Sequence, residues 1–229
     1  MTQHSLAAMP LPSNLTGTIV RAKIEMDDTS HIPTYGPDIS IENPAYLDPT
    51  ARLYGKISLG EECSLWPYAV IRAEAHEVRL GRYVNMQDHA MIHIGFSMGT
   101  TIGDYCSITH KATVHGATIG ENTLIGINAT VMDGTVIGAN CIIGGHCLVP
   151  EGMQVPDNSI VVGVPGKIIR TKNNFVPNRR NAMIYHWNAV AFALGNHRGW
   201  ESPEFKAHEP ELLAEIDNEF RRRYPNEAD

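Results

Sequence analysis

The chain has 229 residues, 43% of them hydrophobic and 19% charged, long enough for one well-filled domain with appendages. A formal net charge of −7 without a basic stripe argues against a nucleic-acid surface, and no apolar run approaches the roughly 20 residues of a membrane span. Four cysteines lacking CxxC spacing point to neither a disulfide framework nor a zinc ribbon, and MTQHSLAAMPLPSNL lacks the layout of a secretory signal, so a cytoplasmic protein is expected.

In chain order, residues 1–42 show no repeat and read as an N-terminal extension that wraps a neighbouring subunit. From 43 to 170 one pattern governs. Bulky apolar residues recur every six positions: Leu47, Leu53, Leu59, Leu65 and Ile71, then Leu80, Met86 and Ile92, then Ile102, Ile108 and Val114. The series resumes at Ile119 and runs through Ile125, Val131, Ile137, Ile143, Val149, Val155 and Val161. Glycine follows the aliphatic in IGENTL, IGINAT, IGANCI and IGGHCL. Three departures interrupt the count: nine residues after Ile71, ten after Ile92 and five after Val114. A period of six matches neither a helix nor simple strand alternation. A β-solenoid accounts for it, because each short strand buries one aliphatic side chain before a turn redirects the chain. Cys63, Cys106, Cys141 and Cys147 each stand four positions after a repeat aliphatic, in the slot that also holds Ala112, Thr123, Ala129 and Thr135. Small buried side chains are therefore expected there, not nucleophiles. Residues 171–229 form a C-terminal helical segment, with one helix over 178–194 stopped by Gly195 and a second over 209–222.

These repeats resemble the hexapeptide-repeat family. The resemblance implies an all-β left-handed parallel β-helix (a hexapeptide-repeat solenoid) with C-terminal α-helices packing on it and three hexads to a coil. The left hand is the family's property, since ordinary parallel crossovers are right-handed. With three hexads to a coil, Ile92 and Val114 lie one coil apart, so His93 and His115 occupy the same slot on the same face. Strands one coil apart are separated by about 4.7–4.9 Å, which lets two imidazoles reach one zinc ion at about 2.0–2.1 Å. His110 stands two positions after Ile108, on the preceding face, and points away from the site its own chain builds. A third ligand then has to come from another subunit, as a three-fold assembly would provide. The same count places Arg72 one coil below His93 and Asp88 one coil below His110. His89, His146 and His186 read as solvated or hydrogen-bonded surface side chains.

The stretches VIRAEAHEVRLG (70–81), VNMQDHAMIHIG (84–95) and TIGDYCSITHKATVHGATIG (101–120) resemble the γ-class carbonic anhydrase family, over roughly residues 43–190. The resemblance implies a homotrimer in which His93 and His115 of one subunit and His110 of its neighbour bind Zn²⁺; Fe²⁺ and Co²⁺ also suit imidazole. It further implies that Gln87 orients the attacking hydroxide and that Arg72 and Asp88 belong to the intersubunit polar network. Asn85 would lie beside the site and Tyr185 near the pocket. Three neutral imidazoles leave zinc its full charge and an open position. Attack on CO₂ then gives bicarbonate, and attack on an ester or thioester carbonyl gives hydrolysis. Two departures bear on this choice. Arg72-Ala73-Glu74 replaces the family's usual Arg-Gly-Asp, and the loop IGFSMG after His93 carries no acidic residue to shuttle protons; His76, although it reads as a surface histidine, is the candidate substitute. A metal-dependent hydrolase, a hexapeptide acyltransferase with one histidine as general base and a catalytically silent scaffold are the competing readings. A small-molecule substrate is expected, with no nucleic-acid or membrane partner.

Overall fold

A computed structural model describes residues 37–227, so residues 1–36 of the extension expected over 1–42 lie outside the described residues. The described chain winds into a left-handed parallel β-helix followed by two helices. Many strands are only two residues long, such as Leu124–Ile125, because the period of six leaves room for one inward aliphatic and a corner.

Strand pairing follows the hexad count. On the first face Leu53, Ile71, Ile92, Val114, Val131 and Val149 stack in register, one per coil. The second face stacks Ile41, Leu59, Leu80, Ile102, Ile119, Ile137 and Val155. The third stacks Leu47, Leu65, Met86, Ile108, Ile125, Ile143 and Val161. From Leu53 to Val161 each repeat residue is at most 4% exposed. Burying such a side chain contributes about 1.5–3 kcal/mol. Corners turn on left-handed residues that also recur by coil: Asn122, Asn140 and Asn158 have φ of 55°, 55° and 63°. Asparagine is among the residues that adopt this conformation most readily.

The ends differ slightly from the sequence boundaries. Ile39–Ile41 already pairs with Ile57–Leu59, so the solenoid begins one hexad before Leu47. At the other end Lys167–Thr171 folds back antiparallel on Ser159–Val162. The three irregular steps all have structural counterparts. The nine-residue step lies within one long strand, Val70–Leu80, and the ten-residue step holds the loop 94–99. The five-residue step turns at Gly116, with φ +54°. The first two excursions meet, His76 Nε2 lying 3.3 Å from the Phe96 carbonyl.

Helix α1 spans Phe175–Ala193 and helix α2 spans Pro203–Arg223. The second starts before the expected residue 209: Ser202 caps it by accepting from the Phe205 amide at 3.1 Å, and Pro203 occupies the first turn. Pro210 thus lies inside the helix. Helix α1 is docked on the third face by buried asparagines. Asn178 Nδ2 donates to the Asn122 and Cys141 carbonyls, each at 2.9 Å, and Asn122 Nδ2 donates to the Phe175 carbonyl at 3.1 Å. Arg179 stacks over the Tyr105 ring at 3.6 Å and pairs with Glu219 at 2.6 Å, joining α1 to a corner and to α2. Among the described residues no helix is long and apolar enough to cross a membrane.

All four cysteines are free and buried. Burial pushes the Cys63 and Cys106 thiols up to about 12. Because the thiolate is the reactive form, a disulfide reagent at pH 8 should label no cysteine in the native protein and all four in guanidinium chloride. Rapid labelling of a native thiol would contradict the buried placement.

Candidate metal centre

The first face carries one polar column. A residue next to an inward aliphatic points outward. Strands Val70–Leu80, Met91–His93 and Thr113–His115 pair with Arg72 opposite His93 and His93 opposite His115. The imidazoles of His93 and His115 lie with Nδ1 and Nε2 2.9 Å apart and ring centroids 4.8 Å apart. Glu74 bridges outward, one oxygen 3.0 Å from His93 Nε2 and the other against Arg72 Nη1. At the far end Asp133 meets His115 Nδ1. Arg72, Glu74, His93, His115 and Asp133 thus form one continuous chain. Gly116 permits the closure, since a Cβ there would sit 2.8 Å from Asp133 Oδ1 and 2.9 Å from the Gly95 backbone.

Burial lowers the His93 pKa, and the Arg72 charge and His115 push it further down against a smaller opposing effect of Asp133. The ring is therefore neutral at neutral pH, the state in which imidazole offers a lone pair.

The third face carries the other residues. Gln87 and Asn85 are each 1% exposed, and Gln87 Nε2 donates to Asn85 Oδ1 at 2.9 Å. Asn85 Nδ2 donates in turn to Ser107 Oγ at 2.8 Å, and that hydroxyl donates to Asn181 Oδ1 of α1, also at 2.8 Å. His110 Nδ1 lies 3.0 Å from Asp88 Oδ2, and its Nε2 lies 3.3 Å from the Tyr185 hydroxyl. Burial, together with the charge of Asp88, pushes the Tyr185 phenol up to about 12, so it stays protonated. Gln87, Thr109, His110, Leu124, Asn181 and Tyr185 line a cavity of about 370 Å³.

The structure therefore brings the sequence-selected residues together as two groups. Arg72 and Glu74 stand with His93 and His115, whereas Asn85, Gln87, Asp88 and Tyr185 stand with His110. Among the described residues of one chain, no three His, Cys, Asp or Glu side chains form a cluster able to hold a metal ion. The donor chemistry nonetheless fits zinc as a half-set, because two imidazole nitrogens of the first group converge on one point. His89 stacks on Tyr68 at 4.9 Å and His186 reaches Glu62 at 2.8 Å.

Two residues escaped the sequence reading. Asp133 precedes Gly134 and reads as a turn residue, although it lies only one slot past the position one coil beyond His115. Asn181 sits four residues before Tyr185 on α1, and that spacing on one helical face was the available signal.

Residues 116–151 match the model of the bacterial transferase hexapeptide (six repeats) family. Over 137 residues the chain is 47% identical to a probable carbonic anhydrase of Methanocaldococcus jannaschii, covering 59% of this chain and 86% of that one. Over 175 residues it is 38% identical to the mitochondrial gamma carbonic anhydrase 3 of Arabidopsis thaliana, covering 73% of this chain and 68% of that one. A crystal structure of a hexapeptide transferase family protein from Anaplasma phagocytophilum superposes with a TM-score of 0.58 at 24% identity, covering 71% of this chain and 92% of that one. That last likeness speaks for the fold alone. On its repeat, its register and these relatives, the chain belongs to the γ-class carbonic anhydrase family of hexapeptide-repeat, left-handed β-helix proteins.

Proposed function

We propose that the protein is a zinc-dependent lyase that hydrates CO₂ to bicarbonate at sites shared between the subunits of a homotrimer. One observation carries this reading. A converging histidine pair stands on one face of the β-helix, and a third histidine stands on another, beside a cavity of its own. His93 and His115 of one subunit and His110 of a neighbour would hold the metal, which when bound supplies the charge that acidifies water at neutral pH.

The chain's own residues divide the remaining work. Glu74 and Asp133 support the two paired imidazoles from outside, and Asp88 supports His110 through Nδ1. Gln87 has its amide nitrogen committed to Asn85, which leaves Oε1 to accept a hydrogen bond from the attacking water and orient it. Tyr185, protonated, donates at the cavity wall. Leu124 and Ile127 add apolar lining suited to a small nonpolar gas.

A hydrolase on the same site is the second reading, favoured by the loop after His93. Phe96 is wholly exposed there and Met98 is 37% exposed, and the loop carries no carboxylate of its own to move protons. CO₂ hydration and metal content measured on the same preparation decide between the two. About one metal per subunit, with hydration that is lost on chelation, is the expected result. A metal-loaded protein that fails to hydrate CO₂ but cleaves a thioester would favour the hydrolase. A protein that binds no metal would sink both.

A further inference from the structure

We propose that Asp133 is a positioning residue: by accepting a hydrogen bond from Nδ1–H of His115, it holds the Nε2 lone pair of that ring toward His93. The inference rests on the metal reading above and concerns a residue outside the set that the sequence singled out.

An ionised carboxylate can only accept hydrogen bonds, and a neutral imidazole carries one N–H and one lone pair. The nitrogen that faces a carboxylate must therefore carry the proton. Asp133 faces Nδ1 of His115, so in the neutral ring Nε2 is bare. Glu74 faces Nε2 of His93 at 3.0 Å, so Nδ1 of that ring is bare as well. The two bare nitrogens are the pair that lie 2.9 Å apart. Two lone pairs at that distance repel unless a proton or a metal ion sits between them, so the carboxylates at the two ends leave the histidine pair ready to take a cation.

The two ends are not equivalent. The Glu74 side chain is 48% exposed and shares its carboxylate with Arg72. Among the described residues, the Asp133 side chain has His115 as its one hydrogen-bonding partner. Its seat is also built. The Asp133 carbonyl accepts from the Gly152 amide at 2.8 Å, Gly134 turns the chain just after it with φ +68°, and Gly116 leaves the space beside Oδ1 clear. Carboxylates that orient metal-bound histidines are worth 10–100-fold in metal affinity in other proteins.

The test compares wild type with Asp133→Asn, Asp133→Ser and Asp133→Glu. Zinc affinity is read by chelator competition, and the His115 tautomer by ¹⁵N shifts of the metal-free protein. An amide or hydroxyl no longer dictates the tautomer, so Asp133→Asn and Asp133→Ser should bind zinc roughly 10–100-fold more weakly and show a mixed tautomer. Asp133→Glu should recover part of both, and thermal melting of the metal-free variants should stay near wild type. A merely structural role would move melting and leave the tautomer alone. Wild-type affinity and an unchanged tautomer in Asp133→Asn would overturn the inference. If the wild type binds no zinc yet the tautomer still depends on Asp133, the metal reading falls and the positioning role stands.

Discussion

Replacing His110 by alanine is expected to weaken zinc binding by more than about 100-fold and to remove CO₂ hydration, a larger loss than the 10–100-fold assigned to supporting residues. The expectation is not local, because His110 makes no contact with His93 or His115 of its own chain. Its imidazole meets Asp88 and Tyr185 on the third face, and the pair it would complete belongs to a neighbour. A mixing experiment isolates this point. His93→Ala and His110→Ala preparations should each be inactive. After subunit exchange at equal amounts, about a quarter of the shared sites should combine an intact pair with an intact His110. Activity should return to about that fraction of wild type on the same three-fold assumption. A mixture that stays silent after demonstrated exchange would place the whole site within one chain.

The second large effect concerns the scaffold beneath the site. Ile92→Ala is expected to cost about 2–5 kcal/mol, read as a lower denaturant midpoint with little change in slope. Ile92 is 0% exposed, stacked between Ile71 and Val114, and these three carry Arg72, His93 and His115 as their outward neighbours. Filling the void would require the coils above and below to move, and their strands are pinned in register. Leu47, on the third face and only half-buried, should cost less when changed to alanine. Equal midpoint shifts for the two variants would contradict the layered core.

The fold and the two histidine groups were legible for one physical reason. In a β-helix the inward residue of each hexad is chosen by burial, so the row and column of every outward side chain follow by counting. Arg72, His93 and His115 fall in one column because insertions displace whole hexads without breaking the stack. Side-chain reach across a coil is not periodic, however. Asp133 comes to His115 from one slot beyond its counted partner, and nothing in the spacing of a turn-like Asp-Gly announces that approach. Ile41 escaped because its hexad runs into Asn43 and Pro44, which read as a break. The start of α2 was hidden for a related reason: Pro210 imitates a first-turn proline and masks the true cap at Ser202.

Helix α1 has a consequence for how the molecule comes apart. A stack in which each coil touches only its neighbours frays from its ends, one layer at a time. But α1 bears on Tyr46–Leu47, Ser64–Leu65, Asn85–Met86 and Ser107–Ile108, strands of four successive coils. It acts as a splint: peeling away any one of those layers also strips contacts from the helix that clamps the others. The splinted layers include the ones that present Gln87 and His110, so this half of the candidate site opens as a single cooperative block.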